Sequence, residues 1–216
     1  MEQRDLEFLF PADSDTYIDL DIKPYVRGKL VSREGKDLDN KDFTWVTNNF
    51  LHSLFSQCTI TLNKVPITLS GDLYQCRSYL ETILTYGSNA GASRLTNSFW
   101  YLDRGDMLPC ETSTADKTAA ATNVGFITRW ANIKQSKYVQ LYDRLHSDIC
   151  NVQNFLLPGV NLHIKLTKAR SSFYLMNATE HSKTTFKFLD AKLFVKRIRR
   201  NRDFLSAQNS TLIWEA

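Results

Sequence analysis

The sequence predicts an all-β fold, an antiparallel jelly-roll sandwich with helical insertions in the connecting loops. Three observations predict it. Gly159–Lys168 alternates strictly, with Val160, Leu162, Ile164 and Leu166 on one side and Asn161, His163, Lys165 and Thr167 on the other, the period of a half-buried strand. Short β-prone runs recur at uneven spacing with no strand–helix–strand rhythm, which argues against a parallel sheet. Aromatics are plentiful at 12% of 216 residues, whereas 8 Gly and 5 Pro exclude collagen-like and low-complexity classes.

Taken in order, Thr16–Asp21 alternates Tyr17 and Asp19 against Ile18 and Leu20 and reads as a strand. Tyr25–Ser32 continues it after Pro24, which suits a strand start. Residues 33–42 are polar, with Gly35 and Asn40, and read as a surface loop. Phe50, Leu51, Leu54 and Phe55 share one face of a short helix. Cys58–Asn63 is a strand, Asn63-Lys64 a hairpin turn, and Val65–Leu69 its return.

The best helix spans Asp72–Tyr86, with an Asp72/Gln75 capping box, an apolar stripe of Leu73, Cys76, Leu80, Ile83 and Leu84, and Gly87 as a left-handed cap. Residues 88–108 read as an irregular insertion with a helical turn, and 109–123 as a loop rich in Thr, Ala and Ser. Val124–Ile133 and Lys137–Leu145 read as strands, as do Phe173–Met176 and two alternating runs in Thr184–Arg199. The count is about eight strands.

Composition bounds the function. Hydrophobic residues make up 43% and charged ones 23%, enough to build a core. A net charge of +4 argues for nucleic acid only where it clusters. Cys58, Cys76, Cys110 and Cys150 lie too far apart for a zinc or redox motif and read as reduced, mostly buried thiols of an intracellular chain. No apolar run approaches the roughly 20 residues that span a bilayer, so no membrane partner is expected, and residues 1–5 begin no signal peptide. The sequons at Asn177 and Asn209 then read as chance.

The motifs point away from catalysis. No nucleophile elbow, phosphate loop or dinucleotide fingerprint is present, and His52, His146, His163 and His181 have no metal-ligand spacing. No enzyme, cofactor or metal is expected. On a strand, His146 and Asp148 would share a face as a structural pair. Asp19 and Asp21 are too few for a calcium cage, and Asp103-Arg104-Gly105-Asp106 is turn chemistry. The one charge cluster is Lys192, Lys196, Arg197, Arg199, Arg200 and Arg202, which reads either as a solvated strand face or as a nonspecific nucleic-acid contact.

Longer segments carry a resemblance. Asn49–Gln57 (NFLHSLFSQ), Cys58–Asn63 and Tyr74–Gly87 (YQCRSYLETILTYG), then Leu145–Ile149 (LHSDI), Pro158–Met176 (PGVNLHIKLTKARSSFYLM) and Ala191–Arg199 stand in order over most of residues 14–200. Together they resemble the N-terminal half of the major capsid protein of Polinton/Maverick elements and adintoviruses. The resemblance implies the double jelly-roll lineage, in which three subunits, each of two rolls, form a capsomer. It implies a structural virion protein made inside a host cell, with self-association (a homotrimer where a second roll is present) and other capsid proteins as partners. The expected organisation is an N-terminal arm over 1–13, one jelly roll over 14–203, and a tail over 204–216 standing where the second roll would begin. A truncated copy in a host genome fits that pattern. The alternative reading is a nucleic-acid-binding β-sandwich acting through the Lys192–Arg202 cluster.

Overall fold

The computed structural model describes residues 5–39, 44–68, 71–103, 123–177 and 184–199. Strands outweigh helices, and every pairing is antiparallel. The strands are β1 (Leu6–Phe10), β2 (Thr16–Asp19), β3 (Lys23–Ser32), β4 (Thr44–Val46), β5 (Phe55–Leu62), β6 (Val65–Pro66), β7 (Val139–Tyr142), β8 (Phe155–Leu156), β9 (Leu162–Lys168), β10 (Leu175–Asn177), β11 (Thr184–Phe194) and β12 (Arg197–Arg199). The helices are α1 (Phe50–Ser53), α2 (Tyr74–Thr85), α3 (Ser88–Gly91), α4 (Val124–Ile133), α5 (Asp148–Asn151) and α6 (Ser171–Tyr174).

Four of the pairings nest inside one another. Thr16 pairs with Arg199, Lys23 with Phe194, Val46 with Leu175, and Leu62 with Leu162. The two halves of the chain therefore run beside each other as one long antiparallel ribbon, β2–β5 against β9–β12. The ribbon is broken into open sheets of order β1-β9-β5-β6, β11-β3-β7, β12-β2-β8 and β10-β4.

Local sequence explains the main joints. Asn63 (φ 46) and Lys64 (φ 70) supply the two positive φ angles that a two-residue hairpin needs between β5 and β6. In β11 a bulge between Phe188 and Asp190 switches the alternation, so Phe186 and Phe188 face the core before it, and Leu193 and Val195 after it. Phe194 falls on the other side and is half exposed.

One apolar core runs through the described residues. At its centre, Phe50 and Leu51 of α1 and Leu54 just after it are fully buried. The Phe50 ring meets Phe186 at 5.3 Å and Tyr174 at 6.2 Å, tying the first half of the chain to the second. Each such side chain contributes about 1.5–3 kcal/mol on burial.

Several expectations are corrected. Val124–Ile133 is helix α4, not a strand, because the Asn123 side chain accepts the Phe126 N–H at 3.1 Å and starts the first turn. Residues 1–13, expected as an arm, carry β1, which pairs with β9 from Leu6↔Leu166 to Phe10↔Leu162. Phe173 and Tyr174 belong to α6, and only the residues after them form a strand. Asp72 does not cap α2; Leu73 flanks it and no side chain caps it. Gly87 is extended (φ −78, ψ 172) and opens α3. The largest correction concerns α2: its apolar stripe faces outward.

Candidate functional site

α2 packs with its polar side inward. Tyr74, Gln75, Ser78 and Thr82 are its buried residues. Leu73 (68% exposed), Leu80 (59%), Ile83 (51%) and Leu84 (83%) stand in solvent, with Cys76 and Tyr79 beside them. Apolar burial cannot orient the helix this way, so polar contacts must. Asn49, the left-handed residue (φ 56) before α1, donates from Nδ2 to Ser78 Oγ at 3.2 Å, and Ser78 Oγ donates to the Gln75 carbonyl. The Tyr74 hydroxyl lies 3.0 Å from His52 Nδ1 and accepts the His146 backbone N–H at 3.5 Å.

The two histidines meet beneath the helix. Their rings stand edge to face with centroids 4.5 Å apart. Each has its own carboxylate. His52 Nε2 lies 3.8 Å from Asp143 Oδ2, too long for a hydrogen bond but within ion-pair reach. His146 Nδ1 lies 3.2 Å from Glu81 Oε2 on α2. Burial, then the neighbouring His52, pushes His146 down to about 4, so it is neutral near pH 7. Burial pushes Asp143 up, but His52 and the Arg144 backbone N–H outweigh it and hold the carboxyl below its ordinary value. Tyr74 is driven well above its ordinary value by burial, and Cys58 and Cys150 are pushed up to about 12 by the same cause. These thiols are therefore inert at neutral pH. Cys76 is exposed and Cys110 lies outside the described residues.

The surface of α2 is clamped to α5. Arg77 donates two bonds to Asp148, at 3.1 and 2.5 Å, and Asn151 Nδ2 donates to Glu81 Oε1 at 2.6 Å. The expected His146–Asp148 pair is thus replaced by two crossed pairs, His146–Glu81 and Arg77–Asp148. The strand geometry behind that expectation fails because Asp148 begins α5. With His52 fully buried and His146 6% exposed, the two rings are shielded from solvent, and the cluster positions α1, α2 and residues 143–151.

The other candidates are placed as follows. Lys192 pairs with Asp190 at 3.0 Å and lies 6.0 Å from the Tyr25 ring centroid. Lys196 lies 3.8 Å from Asp19. Arg197 and Arg199 are exposed on β12, and their field adds to the hydrogen bonds from Asp15 N–H and the Thr16 hydroxyl that hold the Asp13 carboxyl low. Arg200 and Arg202 lie outside the described residues, as do Asp106 and the 204–216 tail. Asp21 pairs with Lys23 at 2.8 Å and with Arg144 at 3.4 Å, while Asp103 pairs with Arg129 at 2.8 Å. Among the described residues no group of three or more His, Cys, Asp or Glu side chains is arranged to hold a metal ion. No helix among them is long and apolar enough to cross a membrane. His163 lines an open depression of about 540 Å³ bordered by β1, β9 and the β5–β6 hairpin, where it lies 3.7 Å from Glu7.

No family model matches the chain, and no curated protein matches it.

Proposed function

We propose that this chain is a structural subunit that packs against copies of itself, the first jelly roll of a capsid-type shell protein. The observation that carries the reading is the outward apolar side of α2. Leu80, Ile83 and Leu84 on α2, and Leu73 just before it, are each more than half exposed, and that helix is clamped by polar contacts rather than free to turn. Holding this much apolar surface in water is unfavourable, and a shell subunit needs lateral surfaces of this kind. The nested ribbon supports the jelly-roll class, whose strands likewise pair as a long hairpin wrapped on itself. The ordered segment likeness to Polinton/Maverick and adintovirus capsid proteins supports the same lineage.

Sedimentation velocity over a concentration series tests it. Concentration-dependent oligomers are expected; a monomer persisting to high micromolar concentration overturns the assembly role. The nucleic-acid reading takes second place, because Lys192 and Lys196 already face Asp190 and Asp19. It requires DNA binding that weakens steeply with salt and is lost when Arg197 and Arg199 are changed to Glu.

A further inference from the structure

α2 is attached differently from the rest of the fold. The ribbon is held by an apolar interior that includes Ile22, Val26, Leu30 and Phe186, to which α2 adds only Tyr74. α2 instead buries Tyr74, Gln75, Ser78 and Thr82, and its seat includes both enclosed histidines. A helix held chiefly by polar contacts is a unit that can open without global unfolding.

Every group around the seat bears on its protonation. From α1 comes His52. From α2 come Tyr74, Glu81 and Arg77. From the segment between β7 and α5 come Asp143, Arg144 and His146, and from α5 come Asp148 and the Cys150 thiol; Cys58 of β5 lies behind Tyr74, and Asp21 faces Arg144. His146 Nδ1 lies 3.2 Å from Glu81, whereas His52 Nε2 stands 3.8 Å from Asp143 and makes no hydrogen bond. A charge on the buried His146 ring, whose centroid lies 4.5 Å from that of His52, is disfavoured away from water. Separation of α2 from α1 and from residues 143–147 admits water and removes that penalty.

We propose that the His52–His146 contact is an acid-operated latch: proton uptake there lifts α2 off its polar seat while the ribbon stays closed. Both faces of α2 are then in solvent, the inner polar one and the outer apolar one. An assembly built through the outer face would thereby lose its fixed contact on acidification. The latch itself does not require assembly and is testable on dilute monomer.

Hydrogen exchange of the whole chain, followed by mass spectrometry and corrected for intrinsic rates, distinguishes the possibilities. Between about pH 7.5 and about pH 4.5, amides of 74–85 are expected to exchange at least about tenfold faster, and at acid pH to stay at least about tenfold ahead of those of β3 and β11, which open only with the whole chain. His146→Gln keeps an N–H toward Glu81 without a titrating ring and is expected to flatten the response of α2. His52→Gln serves as the second variant. Exchange of α2 and β3 at one common rate, corrected for intrinsic rates, at about pH 4.5 overturns the latch, as does an α2 whose protection does not fall by that pH. A His146→Gln chain responding like the parent also overturns it. The parent chain's exchange map decides the matter even where a variant fails to fold.

Discussion

The Phe186 ring lies directly on the bare α-carbon of Gly28. A Cβ built at Gly28 would stand 2.4 Å from Phe186 Cζ and 2.5 Å from the Lys187 carbonyl oxygen. The pair lies diagonally across β3 and β11, since Phe186 is registered with Leu30 and Gly28 with Phe188. Glycine is in this strand because an aromatic ring occupies the space its side chain would need. Gly28→Ala is therefore expected to cost at least about 2 kcal/mol, through displacement of Phe186 and of the neighbouring backbone. Urea unfolding measures it; an unchanged midpoint would show that the ring moves away freely.

Arg129 is the largest fully buried polar side chain, at 2% exposure. It donates from Nε to the Val46 carbonyl at 3.2 Å, from one terminal nitrogen to the Tyr101 carbonyl at 3.3 Å, and from the other to Asp103 at 2.8 Å. Two separate segments, at Val46 and at Tyr101–Asp103, are joined to α4 by one guanidinium. Arg129→Ala is expected to destabilise by about 3 kcal/mol, and Arg129→Lys to recover little, because one ammonium cannot reach all three acceptors. Chemical denaturation of both variants tests this, and recovery by Lys would contradict the fork geometry.

The inverted helix reverses the usual expectation for hydrophobic substitutions. Leu80→Lys with Ile83→Lys is expected to change stability by no more than about 0.5 kcal/mol per site, because both residues stand in solvent. The same pair is expected to abolish concentration-dependent association. Ser78→Leu, on the inner side where Asn49 donates to the hydroxyl, is expected to destabilise by about 1–3 kcal/mol. Thermal melts and sedimentation give both readouts, and a stable Ser78→Leu chain would mean that the seat is loosely packed.

Acid should weaken the fold before its carboxylates titrate. His146 takes its proton at about 4 in the folded chain, below its ordinary 6.5. Below 6.5 the unfolded chain binds a proton that the folded chain refuses, so stability falls as pH drops from 6.5 toward about 4. The loss amounts to about 3 kcal/mol across that window. Asp143, held below its ordinary 3.8, contributes stability above that value that is lost under further acidification. Denaturation midpoints from neutral to acid pH follow this, and His146→Gln is expected to remove the slope above pH 4. A flat profile in the parent chain would contradict the burial of the ring.

How much of this could be read in the sequence depends on which force decides each element. β9 and the two phases of β11 were legible because strict alternation matches the two faces of a half-buried strand. The hairpin at Asn63-Lys64 was legible from its place between two β-prone runs. Val124–Ile133 was misread because its bulky residues score as strand, whereas one side-chain bond from Asn123 sets the helix. α2 was legible as a helix but not in its orientation. Its inner side is chosen by His52, Asn49 and His146, which lie 20 or more positions from the residues they hold. The cluster itself has no spacing signature, since Tyr74 and Glu81 come from one helix and Asp143 and His146 from a loop after β7.

The nested pairing dictates a timetable. β1 waits for β9, β2 for β8 and then β12, and β3 for β7 and then β11, so the early strands wait for residues between about 139 and 199. Contacts of such long sequence separation make folding slow and leave strands unpaired on a nascent chain. β5, β6 and the α1–α2 region find partners close in sequence, which makes the hairpin at Asn63 a natural starting point for collapse and the outer strands the last to zip shut.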